Sequence, residues 1–267
     1  MAVTNFIRTV WSNKIQDMLE LECKLVQNCW SKYEGDCDRS KTVKILAVGD
    51  PTIKPYTGEK LTYEGMSDSV TDLVIDQANA FSFLVHDIDE AQSVDGLAEE
   101  YQRKAVHGLA VARDTYIANL IKTAANVTPA TALTADAVIE AIDEAIVELR
   151  ERNFDEEGVI EISPKVYNVV KTKLTELSTN NPDYIKTGKI GMYDGFKVIM
   201  SNNLATDSSH RYCAVRGTKA IAFAGQINEV EAFRHPDYFA DAVRGLDTFG
   251  AKIIDEARIQ VVKIPLE

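Results

Sequence analysis

The sequence has little cysteine and little basic charge. Among its 267 residues are four cysteines, Cys23, Cys29, Cys37 and Cys213, too widely spaced for a CxxC metal site and too few for a disulfide framework. We expect reduced thiols that pack as small apolar side chains. The 29 Lys and Arg residues are outnumbered by 41 Asp and Glu, which gives a formal net charge of −12. This charge disfavours a broad phosphate-binding surface, so nucleic acid is not a predicted ligand.

Long apolar runs are also missing. No stretch of about 18 apolar residues could span a bilayer, and Met1–Val10 lacks the charged-then-apolar pattern of a secretory signal. We therefore expect a soluble protein that is made in a cytoplasm.

Catalytic and metal-binding motifs are absent as well. The sequence contains no GxxxxGK[ST], GxGxxG, GxSxG, HExxH or DxDxDG pattern. His86–Glu90 and the acidic residues between Glu148 and Glu157 could in principle serve acid–base or metal chemistry, but a solvated strand end and a solvated helix end explain them more simply. We predict no catalytic, cofactor-binding or metal-binding residue, with an enzyme of unrecognised site as a remote alternative.

The first part of the chain has an amphipathic pattern. Apolar residues recur at helical spacing from Ile7 to Tyr33, and this stretch contains both tryptophans, Trp11 and Trp30. The pattern predicts a helix. It fits either an internal core helix or an arm whose apolar stripe is completed by a neighbouring subunit.

A long hairpin is predicted next. Val43–Val48 and Val70–Val85 have β-strand character, and the stretch between them is rich in turn residues, among them Pro51 and Gly58. A connection of about twenty residues in a compact domain is usually functional or disordered.

The rest of the chain alternates helices and strands. Apolar residues from Leu97 to Leu120 predict a helix roughly 40 Å long, opened by Ser93 or Asp95. Further predicted elements are a helix over Val138–Leu149 capped by Thr134, a strand at Gly158–Ile162, and a helix from Ser163-Pro164 to Leu177. Predicted later strands are Gly195–Met200, Tyr212–Val215, Ala220–Phe223, Asn228–Phe233, Phe239–Leu246 and Ile259–Ile264, with Gly191, Gly217, Gly225 and Gly245 in the connections. The fold class is α+β, and its halves are expected to share one intertwined core.

This order of elements resembles the tailed-phage major capsid proteins, whose fold is shared with encapsulin shells and herpesvirus capsid floors. The resemblance is carried by ISPKVYNVV (Ile162–Val170), IGMYDGFKVIMSNNL (Ile190–Leu204) and AVRGTKAIAFAGQINEVEAFRHPDYFADAVRGLDTFGAKI (Ala214–Ile253). These segments are similar to the family's axial helix, glycine turn and strands, and to its closing passage.

The resemblance implies a division of the chain. Residues 1–42 would be an N-terminal arm and residues 43–92 an extended loop. A peripheral domain with a long spine helix would comprise residues 93–126 and 226–249. An axial domain would comprise residues 127–225 and 250–267.

The resemblance also implies a function. The chain would self-assemble, as hexamers and pentamers, into the icosahedral head that encloses the double-stranded DNA of a tailed phage. Its partners would be a portal, a separate scaffolding protein or none, and a decoration protein or none, with no membrane and no sequence-specific DNA contact. Because the arm begins at once, we expect no built-in scaffolding segment and no proteolytic trimming. An encapsulin-like compartment is the alternative.

The functional residues of such a subunit are those that contact its neighbours. Candidate inter-subunit contacts are Trp11, Trp30, Lys54, Tyr56, Lys60 and Tyr63. Candidate hinge or turn residues are Pro51, Pro55, Gly58 and Gly65. Lys54 or Lys60 could be crosslinked to a neighbour's asparagine, although a simple salt-bridging role is favoured.

Deletion of Pro51–Ser69 tests the predicted loop. We expect a subunit that still folds but no longer forms closed shells, because the deletion removes contacts to neighbours and leaves the body intact. Electron microscopy of the purified variant is the measurement. Shells of normal size would contradict the assignment.

Overall fold

The computed structural model describes residues 18–19, 22–32, 42–48, 68–86, 97–176 and 191–266. The helices are α1 (Leu97–Lys122), α2 (Ala135–Glu151) and α3 (Pro164–Glu176), with 3₁₀ turns at Val26–Asn28 and Glu256–Arg258. The strands are β1 (Thr42–Val48), β2 (Asp68–Val74), β3 (Gln77–His86), β4 (Val127–Pro129), β5 (Gly158–Ile162), β6 (Met192–Tyr193), β7 (Phe196–Met200), β8 (His210–Gly217), β9 (Ile221–Arg234), β10 (Ala240–Ile253) and β11 (Ile259–Pro265).

Helix α1 connects two parts of the interior. Its 26 residues correspond to roughly 39 Å at a rise of 1.5 Å per residue. Val106 and Leu109, in its first half, pack with Leu19 and Cys23 under the β3–β10 sheet. Residues of its last turns, including Ile121, lie in the main core. The predicted long helix is confirmed.

The main core lies on a mixed sheet of six strands in the order β4-β11-β8-β5-β7-β6. All of β5 is buried, which explains why its sequence is apolar except for Glu161. The buried face of α2 consists of Val138, Ala141, Ile142, Ala145, Ile146 and Leu149. Thr134 is the N-cap of α2 as predicted, although its side chain makes no capping hydrogen bond. The same core contains Leu25 and Phe249, so the two halves of the chain share it, as expected.

A second sheet has the order β3-β10-β9. Its strands alternate in burial because successive side chains of a strand point to opposite faces. Phe81 and Phe83 pack toward α1, whereas Ser82 and Leu84 are exposed on the other face. We call this second surface the open sheet face.

Strands β1 and β2 pair antiparallel as a two-stranded ribbon. Val43, Ile45 and Leu73 on its inner face pack against Ala222 and Ala224 of β9. The predicted strand pairing of the hairpin is confirmed. Residues 49–67, which connect the strands, lie outside the described residues.

The predicted single strand Val70–Val85 is wrong. The chain leaves one sheet after Val74 and enters another at Gln77. Strand β2 pairs with β1, whereas β3 pairs with β10. The residues between them, Ile75 and Asp76, contain neither glycine nor proline, so turn chemistry does not mark this break.

Two predicted glycine connections are also wrong. Gly225 lies inside β9 and Gly245 inside β10, so Ala220–Phe223 and Asn228–Phe233 belong to one strand and Phe239–Leu246 is the start of a longer one. A Cβ at Gly225 would lie 2.8 Å from the Phe223 ring, and one at Gly245 would lie 2.4 Å from the Phe81 ring. Both glycines therefore make room for an aromatic ring within a strand, which is a different use from a turn.

The predicted helix over Ile7–Tyr33 is wrong in its last part. Residues 18, 19 and 22 are helical, but residues 23–32 form turns, the 3₁₀ turn and an isolated β-bridge. Among the described residues, no helix is both long and apolar enough to cross a lipid bilayer.

Gly250→Ala tests how closely the ribbon packs on its own subunit. A Cβ at Gly250 would lie 2.2 Å from the Val74 carbonyl oxygen and 2.9 Å from Ile75 Cα, so backbone must move. We expect the free energy of unfolding, measured by urea titration, to fall by about 1–3 kcal/mol. The control is Gly108→Ala in α1, where a Cβ meets nothing within 4 Å, and where we expect a gain of about 0.5–1 kcal/mol. Equal stability of the two variants would contradict the close packing.

Candidate functional site

Residues 22–32, which we call the anchor segment, join the N-terminal part of the chain to the body. The segment contacts α1, β8 and β9, which belong to distant parts of the sequence. Most of its contacts are made by main-chain groups, and these bind buried charged side chains.

Asp114 of α1 binds the anchor segment by its amide groups. The carboxylate accepts hydrogen bonds from the main-chain N–H groups of Lys24 and Leu25, both at 3.0 Å, and of Val26 at 3.4 Å. The side-chain amide of Asn203 donates a further bond at 3.4 Å. Asp114 is 1% exposed. Such charge-assisted bonds are about twice as strong as neutral ones, and here they satisfy the free amides at the start of the 3₁₀ turn, as an N-cap would.

Arg216 of β8 binds the same segment by its carbonyl groups. Its guanidinium donates to the carbonyl oxygens of Asn28 at 2.6 Å and Leu25 at 3.0 Å. It also donates to both carboxylate oxygens of Glu161 on β5, at 2.7 and 3.1 Å. Both charged side chains are completely buried. Burial raises the pKa of the Glu161 carboxyl, and the charge and hydrogen bonds of Arg216 oppose that rise.

Trp30 ends the anchor segment with a short β-bridge to β9. Its N–H donates to the Ile221 carbonyl at 2.8 Å, and its carbonyl accepts from the N–H of Phe223 at 3.1 Å. The Lys32 ammonium lies 5.8 Å from the centre of the Trp30 ring. Of the predicted inter-subunit contact residues, only Trp30 lies within the described ranges. It is half-buried in its own subunit, and its contact to a neighbouring subunit stays a prediction.

These contacts explain why the predicted helix does not continue. In an α-helix the amides and carbonyls of the segment would bond to each other four residues apart. Here Asp114 takes the amides of Lys24, Leu25 and Val26, and Arg216 takes the carbonyls of Leu25 and Asn28. Stronger tertiary bonds have replaced the helical pattern.

A second buried ion pair connects α1 to β10. Arg113 donates to Asp247 through Nε at 3.0 Å and through a second, shorter bond from Nη2. The guanidinium lies 5.4 Å from the ring centre of Phe223 and 5.7 Å from that of Phe249. The aromatic faces and the carboxylate together surround the cation.

These charged residues are not among the functional residues predicted from the sequence. A signal for two of them was present, since Glu161 interrupts the apolar strand GVIEI and Arg216 follows the apolar run CAV. A charged residue inside a buried strand needs an opposite charge. The sequence does not say which residue supplies it.

The surface carries two exposed faces with apolar side chains. On the ribbon, Val70 and Val74 are 52% and 51% exposed. On the open sheet face, Leu84, Phe233 and Leu246 are exposed around an ion pair in which Arg244 Nε lies 2.8 Å from Glu231 Oε2. A further exposed site is the β9–β10 turn, where Tyr238 and Phe239 are 58% and 85% exposed. Contiguous apolar patches are typical of surfaces that bind other proteins, whereas single exposed apolar residues are common on any protein.

Two of the acidic residues considered in the sequence, Glu148 and Glu156, pair with neighbouring cations. Glu148 pairs with Arg152 at 3.0 Å. Glu156 pairs with Lys219 and Arg258, whose hydrogen bonds lower the pKa of its carboxyl. Within the described residues no group of His, Cys, Asp and Glu is arranged to hold a metal ion.

Three cysteines, Cys23, Cys29 and Cys213, are buried free thiols, as predicted. Burial raises the pKa of the Cys29 thiol to about 11 and that of Cys213 to about 12. Cys37 lies outside the described residues. So do the remaining predicted contact and hinge residues, Trp11, Lys54, Tyr56, Lys60, Tyr63, Pro51, Pro55, Gly58 and Gly65.

Arg216→Leu tests the buried pair. The change leaves the Glu161 carboxylate buried without its cation and the Leu25 and Asn28 carbonyls without their donor. We expect the free energy of unfolding to fall by about 3–5 kcal/mol. The control is Arg150→Leu, which breaks a pair with Asp194 whose Arg is 51% exposed and should cost at most about 1 kcal/mol. Similar losses in the two variants would contradict a special role for Arg216.

Solved structures with the same fold come from viral and virus-like particles. A structure from Mycobacterium phage Che8 is 28% identical with a TM-score of 0.76, and the match covers 89% of this chain and 90% of that one. The capsid structure of cyanophage P-SCSP1u is 16% identical with a TM-score of 0.68, covering 85% and 84%. A virus-like particle from Pyrococcus furiosus is 12% identical with a TM-score of 0.61, covering 96% and 99%.

No protein-family model and no curated protein matches the sequence. The assignment therefore depends on the structure. The α+β fold, the spine-like α1 and the match along nearly the whole of both chains agree with the resemblance seen in the sequence. The chain has the fold of the tailed-phage major capsid proteins.

Proposed function

We propose that this chain builds the icosahedral head that encloses the double-stranded DNA of a tailed phage. The observation that carries the proposal is the likeness to a phage structure at 28% identity over about nine tenths of both chains. Copies of the chain would associate as hexamers and pentamers. Binding of one copy to another is then the activity of the protein.

A shell subunit must keep one shape in positions that are not identical. Buried ion pairs between α1 and β10, and between β5 and β8, support such a rigid body. The anchor segment attaches the end of the N-terminal region to this rigid body. We propose that the arm and the extended loop make the contacts to neighbouring subunits.

The proposed division of the chain has four parts. Residues 1–42 are the arm, residues 43–92 the extended loop, residues 93–126 and 226–249 the peripheral domain, and residues 127–225 and 250–267 the axial domain. The pairing of β3 with β10 supports placing the end of the loop beside the peripheral domain. Trp11, Trp30, Lys54, Tyr56, Lys60 and Tyr63 remain proposed contacts to neighbours.

The charge of the chain suits a container for nucleic acid. A net charge of −12 repels packaged DNA, so the DNA is held without sequence-specific contacts. The proposed partners are further copies of the chain, a scaffolding protein, a portal and a decoration protein. The proposed location is the virion, after synthesis in the host cytoplasm.

An encapsulin-like compartment is less favoured. The virus-like particle from Pyrococcus furiosus is only 12% identical, whereas the structure from phage Che8 is 28% identical and has the higher TM-score. Both readings make the protein a structural one. Particles isolated from their source would contain a genome in the first case and an enzyme in the second.

Light scattering on the purified chain tests self-assembly. We expect particles in the megadalton range, far above the 29.6 kDa of one chain, because closed symmetric shells contain many copies. Negative-stain images of the same sample should show hollow shells of uniform size. A discrete dimer or tetramer under all assembly conditions would contradict the proposal and would favour a soluble enzyme.

A further inference from the structure

The turn between β9 and β10, residues 235–239, presents two exposed aromatic side chains. Tyr238 and Phe239 are 58% and 85% exposed. The hairpin is closed by a hydrogen bond from the His235 N–H to the Ala240 carbonyl at 3.0 Å, and the Ala240 N–H donates to the Tyr238 carbonyl at 2.9 Å. The direction in which the aromatic side chains point therefore depends on the conformation of this short turn.

The side chain of His235 caps the turn from within. Its Nδ1 accepts a hydrogen bond from the main-chain N–H of Asp237 at 3.1 Å. In an Asx turn the side-chain oxygen of Asn or Asp accepts from the N–H two residues further on, and His Nδ1 stands the same number of bonds from Cα as Asn Oδ1. Pro236, between the two residues, has no N–H and favours an extended conformation for the residue before it. His235 therefore takes the place of the Asn of an Asx-Pro turn.

This hydrogen bond fixes the protonation state of the ring. A main-chain N–H can only donate, so Nδ1 must keep its lone pair and the ring proton must lie on Nε2. In the imidazolium both ring nitrogens carry a proton, and Nδ1 can no longer accept. The observed turn therefore requires neutral His235. Histidine is the side chain whose charge ordinarily changes between about pH 5 and 8.

The same imidazole also supports one of the exposed aromatic rings. The ring centres of His235 and Tyr238 lie 5.0 Å apart, with the ring planes inclined by 50°. When a proton on Nδ1 faces the Asp237 N–H, two donors oppose each other and the imidazole must turn away. Because Tyr238 packs on that ring, the change at Nδ1 reaches the tip of the turn.

Charged groups of the hairpin favour this rearrangement. Asp237 belongs to the turn itself, and Asp241 lies at the start of β10, where its carboxylate pairs with Arg234 at 3.2 Å. An imidazolium is attracted to both carboxylates and repelled by the guanidinium. Its Nδ1–H can exchange the main-chain amide for a carboxylate oxygen, which is the stronger partner.

We infer that His235 is a proton-sensitive cap of the β9–β10 turn, which holds the turn closed when neutral and releases it when protonated. Release changes how Tyr238 and Phe239 are presented, so a contact of these side chains with another protein would depend on pH. The cap belongs to the single subunit and would operate whether or not copies of the chain form a shell.

His235→Asn tests the cap, because Asn provides an acceptor at the same place and does not titrate. Chymotrypsin cleaves after aromatic residues and needs a locally opened chain. Cleavage after Tyr238 and Phe239 is followed by mass spectrometry on the full-length chain below its assembly concentration. Dividing the rate for the unchanged protein by that for the Asn variant at the same pH removes the pH dependence of the protease. We expect a ratio close to one at about pH 8 and of at least about threefold at about pH 5.5.

Two further variants serve as controls. His235→Ala has no acceptor at any pH, so its rate relative to the Asn variant should be raised at least about threefold at both pH values. His86, at the end of β3, lies opposite Ala240 in the strand register and is the other histidine at this end of the sheet. His86→Gln should keep the pH-dependent ratio of the unchanged protein.

Three results would overturn the inference. The first is a ratio of unchanged protein to Asn variant that does not change with pH. The second is a ratio that loses its pH dependence in His86→Gln, which would assign the titration to His86. The third is an absence of cleavage between His235 and Ala240 at both pH values, because a released turn must be cut.

Discussion

The buried pair between Arg216 and Glu161 is the interaction on which the arrangement of the chain depends. Neither side chain is exposed to solvent, so each needs partners inside the protein. The Arg216 guanidinium donates hydrogen bonds to both carboxylate oxygens of Glu161 and to the carbonyl oxygens of Leu25 and Asn28. If the anchor segment left, Arg216 would keep its carboxylate but lose two acceptors, and the buried Asp114 would lose three donors. The cost of such unsatisfied groups makes the root of the N-terminal region part of the folded body.

This constraint divides the molecule in a way that suits shell building. The main core, α1 and the β3–β10–β9 sheet are connected by buried charges and aromatic contacts, so one copy closely resembles another. Among the apolar residues that the body leaves exposed are Val70 and Val74 on the outer face of the ribbon, Leu84, Phe233 and Leu246 on the open sheet face, and Tyr238 and Phe239 at the β9–β10 turn. A fixed interior with partly apolar surfaces is what the proposed shell subunit needs in order to bind other copies of itself.

Much of the fold could be predicted from the sequence, because periodicity reports burial. Helices α1 and α2 and the buried strand β5 follow directly from the spacing of their apolar residues. The errors arose where a residue acts on a distant one. Gly225 and Gly245 read as turns, but they accommodate the rings of Phe223 and Phe81. Residues 23–32 have a helical pattern, but charged groups about ninety and about 190 positions away bind their main chain.

The charged residues of the candidate site were the hardest to foresee. Glu161 and Arg216 stand out in apolar strands, yet nothing local pairs them with each other or with the anchor segment. Asp114 lies within a long helix where acidic residues are common and usually solvated.

If the root of the N-terminal region folds onto the body before subunits meet, the amides of Lys24, Leu25 and Val26 must be protected in the unassembled subunit. Hydrogen exchange followed by mass spectrometry, on subunits held below the assembly concentration, measures this directly. We expect these amides to exchange as slowly as those of β5 and β8. Exchange at the rate of an unfolded peptide until shells form would contradict a preformed body.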